Sequence, residues 1–353
     1  MPDPRPRVVA IGGGHGRANA LRAVATYAGE LTALVTVADD GGSSGRLRRD
    51  LGILPPGDLR KALVAMADED GVWPRVFEHR FDDGALAGHA LGNLVLAALF
   101  ETTGDVVGSL DHAARLLGAW GRALPATATP VVLTADVDGR TVEGQVAVAT
   151  TPGRIGRVAV VPAGAAPVPD ALAALAVADQ IVLAPGSLYT SVLAVLTVGD
   201  LAAAVGAAPG LVVQVGNLRP QDAETEGMDA ADHLAAVRDH GARVDVYLAP
   251  EGGALAVDPD RFAALGAEVV VAPVGDPRDP EHDPRRLAPA LAALLESPRP
   301  GGAGLRRARP RPGALGPGAG PSTSTSTSTN PSTDTTAGAS PSTTRTHRSR
   351  EHT

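Results

Sequence analysis

Short apolar runs, each followed by a glycine-containing turn and a helical segment, repeat along most of the chain. The strand-like runs are RVVAI (7–11), LTALVTV (31–37), QIVLA (180–184), LVVQV (211–215), RVDVYLA (243–249) and AEVVVAPV (267–274). Helical segments follow near 17–28, 58–68, 92–101, 188–196, 229–240 and 284–296. This order is typical of a doubly wound, mainly parallel sheet, so we expect a Rossmann-like α/β fold.

Two segments depart from this repeat. Residues 130–161 contain several short β runs with turn signals at Asp138-Gly139 and Pro152-Gly153, which predicts a small antiparallel β-rich insertion. Residues 300–353 are rich in Ser, Thr, Pro and Gly, and such sequence buries too little apolar surface to order itself. We therefore expect one α/β domain over 1–299 and a disordered tail over 300–353.

The amino-acid composition argues against several classes of protein. Apolar residues make up 44% and aromatic residues 3%, so the core must be built from Ala, Val and Leu. The net charge of −8 argues against nucleic-acid binding, and the absence of cysteine excludes disulfides and thiolate metal sites. No signal-peptide pattern and no apolar run long enough to span a membrane occur, so we expect a cytoplasmic protein. Lys61 is the only lysine, and every other basic residue is arginine.

The first strand runs into GGGHG, a sequence suited to holding phosphate on backbone amides at a helix N-terminus. Its residues are Gly12, Gly13, Gly14, His15 and Gly16. Arg17 stands where the dinucleotide fingerprint needs its third glycine, and no Gly-Lys-Ser/Thr follows, so neither standard nucleotide motif is present. A packing turn would need only one glycine, so the pattern favours ligand contact.

The second strand ends on VTVADDGGSSGRLR. Asp39 and Asp40 at a strand end can bind Mg²⁺ or a ribose hydroxyl, although adjacent aspartates are often only solvated. We expect the following residues to form a loop around a phosphate ligand. In it the glycines would let the backbone wrap, the serines would donate, and the arginines would pair with phosphate. These residues are Gly41, Gly42, Gly45, Ser43, Ser44, Arg46 and Arg48.

Four further segments contain candidate residues. PPGDLRKAL offers Asp58 as a helix cap, with Arg60 and Lys61 as a secondary anion contact. APGS offers Gly186 and Ser187, either as a second anion pocket or, for Ser187, as a helix cap alone. The remaining candidates are Asn217, Gln221, Glu224 and Thr225 in one long polar loop, and His89 and Asn93, to which no role is assigned.

These motifs occur in the same order in the YvcK-like gluconeogenesis factors (UPF0052), and the chain resembles that family from about Arg7 to about Leu295. That family is related to CofD, the 2-phospho-L-lactate transferase. GGGHG, DDGGSSGRLR, PPGDLRKAL, GHALGN, APGSLYTSVL and ETEG carry the resemblance. Arg17 and Asn19 depart from its pattern, as does the loop after Asn217, and these departures bear on sugar specificity.

The resemblance implies a cytoplasmic Rossmann-like protein that binds a uridine diphosphate sugar, such as UDP-N-acetylglucosamine or UDP-glucose. It also implies a regulatory role in cell shape and wall synthesis on gluconeogenic carbon sources, acting through wall-synthesis protein partners. The glycine loop and Asn217 would contact the nucleotide, and Asp39 and Asp40 would serve metal and phosphate chemistry, with Mg²⁺ as the metal. The related family also suggests a homodimer.

The alternative is a CofD-like, Mg²⁺-dependent transferase of a nucleotide-activated phosphoester. It would need a general base beside the phosphate, for which the sequence offers only His15, His89 and the two aspartates. This shortage favours the regulator.

Overall fold

Parallel strands form the centre of the fold, as seen in a computed structural model that describes residues 5–221, 223–276, 278–279, 281–296 and 305–307. The strands are β1 (Arg7–Gly12), β2 (Glu30–Val35), β3 (Arg122–Pro125), β4 (Val132–Val137), β5 (Arg140–Glu143), β6 (Ile155–Val161), β7 (Gln180–Leu183), β8 (Leu211–Val215), β9 (Val246–Pro250), β10 (Glu268–Ala272) and β11 (Leu305–Arg307). Eight of them form one sheet in the order β11-β10-β9-β8-β7-β1-β2-β3, and every pair is parallel.

Helices connect these strands, as parallel pairing requires. They are α1 (Gly14–Ala25), α2 (Gly42–Leu51), α3 (Gly57–Ala65), α4 (Val72–Glu78), α5 (Leu91–Thr103), α6 (Val106–Leu117), α7 (Gln145–Thr150), α8 (Pro169–Val177), α9 (Ala194–Leu196), α10 (Leu201–Ala207), α11 (Ala230–Asp239), α12 (Pro259–Ala264) and α13 (Pro284–Glu296). A π-helical turn over Leu188–Leu193 leads directly into α9, and a short 3₁₀ turn covers Gly84–Leu86. The Rossmann-like α/β prediction is confirmed.

The core is made almost entirely of small and branched apolar side chains. All four residues of β7 are buried, as are five of the six residues of β1. Since a parallel sheet is covered on both faces, its strands read as continuous apolar runs rather than alternating ones. The run RALP of β3 lacks that signal, and this explains why the sequence did not reveal the strand.

The predicted β-rich insertion is confirmed as a second, antiparallel sheet in the order β5-β4-β6. Helix α7 follows β5 and was not predicted. A buried histidine joins this sheet to the main fold, because the Val158 amide donates to Nε2 of His240 at 3.2 Å. The other ring nitrogen of His240 donates to the carbonyl oxygen of Ala236, which fixes the neutral tautomer.

The described residues belong to one compact unit, Met1–Pro310. The predicted disordered tail, 300–353, lies outside them except for β11, a short strand that the tail prediction did not include. Within the described part of the chain, no single helix is long and apolar enough to cross a membrane. Only the bent pair Leu188–Leu196 and Leu201–Ala207, with a 78° break, has the length and composition to do so.

Candidate functional site

The strand order creates a crevice beside β1. From β1 the chain builds the sheet outward through β2 and β3, then returns to pair β7 on the other side of β1 and continues through β8 to β10. Connections therefore leave β1 and β7 in opposite directions, and ligands of open α/β sheets bind at such a switch point, outside the carboxyl ends of the strands. The glycine loop after β1 and the Pro185–Ser187 turn after β7 both lie there.

The two loops touch across this crevice. A β-carbon at Gly16 would collide with the carbonyl oxygen of Pro185, so only glycine allows this approach. Gly13 is the N-cap of α1 and makes no side-chain cap, and a helix start without a cap is a general anion-binding feature. Gly14 and His15 begin α1, but the predicted ligand contact of the His15 side chain lies outside what the structure describes.

Arg17 is fully buried beneath the glycine loop. Its guanidinium donates to the carbonyl oxygens of Gly12 and Asp58, each at 2.8 Å, and so ties the loop to the start of α3. Burial lowers its pKa, while the charge of Asp58 opposes that effect. Arg17, which stands where the dinucleotide fingerprint needs its third glycine, therefore places a buried positive charge beneath the glycine loop, the candidate phosphate site.

Asp39 lies in a charged cluster beside the glycine loop. One of its oxygens accepts from the Gly41 amide at 3.0 Å, and burial together with the nearby charge of Asp58 raises its pKa. Asp58 is itself buried, with Oδ1 3.4 Å from Nζ of Lys61. Its Oδ2 would lie 3.3 Å from a β-carbon at Gly13, which places Asp58 against the glycine loop. The prediction that Asp58 caps this helix is wrong, because α3 begins at Gly57 after Pro56 as N-cap, without a side-chain cap, and Asp58 lies in its first turn.

Asp40 faces a different neighbour. Its Oδ1 accepts from the Val146 amide at 3.0 Å, so this carboxylate caps α7 of the small sheet. The two adjacent aspartates thus have different hydrogen-bond partners. Among the described residues, no three His, Asp or Glu side chains are grouped to hold a metal ion. The arrangement does not fit a divalent cation held by Asp39 and Asp40 together.

The prediction of a loop over Gly41–Arg48 is wrong, because Gly41 is the N-cap of helix α2 and the other residues lie within that helix. The helix begins at Gly42 and ends at Leu51. Its C-cap, Gly52, adopts the left-handed conformation typical of a glycine at that position. A β-carbon at Gly45 would collide with the carbonyl oxygen of Asp40, so the tight turn after β2 depends on this glycine. Glycines that suggested a flexible loop therefore serve close packing.

Ser43 starts a chain of buried polar groups behind α2. Its Oγ lies 3.0 Å from Nδ1 of His89 and accepts from the Asn93 amide at 3.1 Å. Asn93 in turn accepts from Nε of Arg60 at 3.0 Å. Burial, followed by the charge of Arg46, lowers the pKa of His89. His89 and Asn93 of GHALGN, to which the sequence analysis assigns no role, thus hydrogen-bond Ser43 at the start of α2.

The other three candidate residues of α2 have different environments. Ser44 hydrogen-bonds the Asp39 carboxylate. Arg46 donates to the carbonyl oxygen of Ala87 at 2.9 Å, so its guanidinium supports the segment before α5. Arg48 lies half-buried in the last turn of α2, where a cation is favourable.

Asn217, after β8, orients the turn after β7. Its Oδ1 accepts from the Gly186 amide at 2.7 Å, and its Nδ2 donates to the Gly186 carbonyl oxygen at 3.0 Å. These two hydrogen bonds resemble the pairing of two residues in a β-ladder. The predicted nucleotide contact of Asn217 stays a prediction, whereas its support of Gly186 is direct.

Glu224 occupies the helix start that the sequence offered as a second anion pocket. Its Oε1 accepts from the Thr190 amide at 2.6 Å, and its carboxylate also bonds the Tyr189 amide and the Ser187 hydroxyl. The side chain is buried, and that burial raises its pKa. A carboxylate of the protein itself therefore satisfies the amides at this helix start, and the expected phosphate pocket is filled.

A cleft of about 400 Å³ opens between the glycine loop and the segment after β8. Its lining residues are Gly13, Gly16, Pro185, Gly186, Ser187, Asn217, Leu218, Arg219, Pro220, Gln221, Glu281 and His282. Glu281 accepts from the Asn19 amide at 3.0 Å, and His282 donates from Nε2 to the carbonyl oxygen of Gly216 at 3.0 Å. The sequence analysis did not identify Glu281 and His282, because they do not directly follow a predicted strand and belong to no recognisable motif.

Comparison with known proteins agrees with this architecture, which is that of a CofD-like α/β protein. The model of the family described as 2-phospho-L-lactate transferase CofD matches residues 8–274. A crystal structure of a UPF0052 family protein from Bacillus halodurans matches with a TM-score of 0.78 at 35% identity, covering 82% of this chain and 99% of that one.

Curated relatives narrow the class further. The gluconeogenesis factor of Bacillus subtilis is 42% identical over 238 residues, 67% of this chain and 75% of the relative. A relative in Nostoc is 43% identical over 234 residues, 66% of this chain, and the chain spans only 51% of that longer protein. The chain belongs to the gluconeogenesis factor family, which is related to CofD.

Proposed function

We propose that the protein is a nucleotide-sugar-binding regulator, with UDP-N-acetylglucosamine or UDP-glucose as its ligand. One observation carries the proposal: a glycine loop and a polar cleft meet at the switch point of a parallel sheet. The first turn of α1, which has no side-chain cap at Gly13, and the buried Arg17 favour a negatively charged group over Gly13. The diphosphate would lie there.

The cleft wall suits the rest of such a ligand. Polar groups of Gln221, Glu281 and Arg219 line it beside the apolar side chain of Leu218. Arg219 donates to the Arg278 carbonyl oxygen at 2.7 Å, which holds its side chain along this wall. Hydroxyl-rich sugars need several such donors and acceptors, and a cleft of about 400 Å³ lies in the usual range for ligand sites.

In the cell, binding would shift the protein between conformations that wall-synthesis partners distinguish, and so link wall synthesis and cell shape to growth on gluconeogenic carbon sources. The shift cannot exceed the difference in ligand affinity between the two conformations. The names of the relatives support the link to gluconeogenesis. The cytoplasm is the compartment in which nucleotide sugars would reach this site, and a homodimer is the expected assembly.

A second function, a CofD-like transferase, is favoured by one observation. The raised pKa of Asp39, beside Asp58 and the glycine loop, makes its carboxylate a better base than an ordinary aspartate. Such a group could accept the proton of an attacking hydroxyl.

Calorimetric titration against UDP-N-acetylglucosamine, UDP-glucose, GTP and NAD tests both functions. The regulator requires tight binding of a uridine diphosphate sugar and recovery of the ligand intact after prolonged incubation. Turnover of the ligand, or a preference for GTP, would instead establish the transferase. Failure of every uridine diphosphate sugar to bind would refute the regulator.

A further inference from the structure

Lysine is used once in this chain. Of 31 basic side chains, 30 are arginine and one, Lys61, is lysine. An ammonium differs from a guanidinium in being a compact point charge with three rotatable donors rather than a planar fork. Position 61 is thus the one place where the sequence has an amine side chain instead of a guanidinium.

The structure places this amine at the site. Nζ of Lys61 lies 3.4 Å from Oδ1 of Asp58, whose other oxygen lies against Gly13 of the glycine loop. The Lys61 charge also acts on Asp39. The Lys61 side chain is 36% exposed whereas that of Asp58 is 8% exposed, so the amine reaches from a buried carboxylate to solvent.

Positive charges already compensate the two carboxylates. Asp39 and Asp58 are faced by Lys61 and the buried Arg17, and the charge of Arg60 also acts on Asp58. A divalent cation added between the carboxylates would face these cations and would have to displace Lys61 from Asp58. The same carboxylates would attract Mg²⁺ if the ammonium were removed.

We propose that Lys61 is the cation that binds the ligand's diphosphate, in place of a divalent metal. The inference rests on the proposed function, since it assigns a residue to the phosphate of the same ligand. One ammonium proton is held by Asp58, and the remaining donors pair with phosphate oxygens over the glycine loop. A guanidinium at this position would bridge both Asp58 oxygens and present its charge less directly to the ligand.

Titration with UDP-N-acetylglucosamine and UDP-glucose, in EDTA and again in excess Mg²⁺, tests the metal independence. We expect equal affinity in both buffers for the wild-type protein. Lys61→Gln should weaken binding in EDTA by roughly tenfold to a hundredfold, the loss expected for a charged hydrogen bond, and Mg²⁺ should restore part of it. Lys61→Arg should recover only a minor part. Arg75→Gln, which removes an exposed charge on α4, should bind as the wild type does.

Because the chain has one lysine, amine chemistry can follow this residue without any substitution. Reductive methylation with formaldehyde, read by mass spectrometry of the Lys61 peptide, should slow when UDP-N-acetylglucosamine is saturating. The α-amino group serves as the internal reference, and its labelling should not change. Equal labelling of Lys61 with and without bound ligand would overturn the inference even if the variants fail to fold.

The outcomes separate the two proposals. Binding that requires Mg²⁺ in the wild type, or unchanged affinity of Lys61→Gln or Lys61→Arg, overturns the role of Lys61 and leaves the proposed function standing. Absence of binding in both buffers overturns the proposed function and the role of Lys61 with it.

Discussion

The wall of the cleft makes the protein's stability sensitive to acid through His282. The side chain is 4% exposed, and its Nε2 donates to the Gly216 carbonyl oxygen at 3.0 Å. Burial lowers its pKa from 6.5 to about 4, so the folded protein holds the imidazole neutral where the unfolded chain would protonate it. The stabilisation is therefore complete above the unfolded pKa and is lost as pH falls toward the folded one.

The magnitude follows from the two pKa values. Between about pH 7 and about pH 5, protonation of the unfolded chain at 6.5, against a folded pKa of about 4, lowers the free energy of unfolding by about 2 kcal/mol. His282→Gln removes the titration while its amide can still donate to Gly216. We expect the wild type to lose about 2 kcal/mol more than this variant across that interval.

Urea unfolding followed by circular dichroism at several pH values measures both curves. His282→Leu serves as the matched variant that loses titration and donor together. It should be less stable than His282→Gln at every pH, by about 1–3 kcal/mol for the unpaired carbonyl oxygen, but should follow the same pH dependence. Parallel curves for the wild type and His282→Gln would show that His282 is not held neutral in the folded protein, contrary to this prediction.

Three further substitutions test the site. Glu224→Ala should lower the free energy of unfolding by about 1–3 kcal/mol, because it leaves the Thr190 amide without its acceptor, whereas exposed Glu226→Ala should not. Equal effects of the two substitutions in urea unfolding would contradict this. Asp40→Ala should destabilise the small sheet by about 1 kcal/mol through the lost cap of α7, measured as faster amide exchange at Val146. Gly16→Ala should abolish nucleotide-sugar binding in calorimetry, since its methyl group meets the Pro185 carbonyl oxygen, and binding of normal affinity would show that the two loops can separate.

The order of most elements and the position of the candidate ligand loops could be predicted from the sequence alone. Apolar runs ending on glycines predicted the parallel strands and the turns at their carboxyl ends, because these signals are local and recur with a fixed rhythm. The antiparallel insertion was also visible, since two turn signals separate its β runs. Helix α2 was not, because its N-cap glycine and the two glycines within it are typical of a loop, and the close approach of Gly45 to the Asp40 backbone exists only in the folded chain.

Which polar side chains face one another was decided only by the tertiary structure. Asp40 meets Val146 across 106 positions, Glu224 meets Thr190 across 34, and Asn19 meets Glu281 across 262. No local propensity encodes such pairs, since their geometry depends on strand order and helix placement. Adjacent residues such as Asp39 and Asp40 consequently serve different ends, one in the charged cluster and one as a cap. The sequence predicted the candidate site, and the fold determines which of its side chains contact one another.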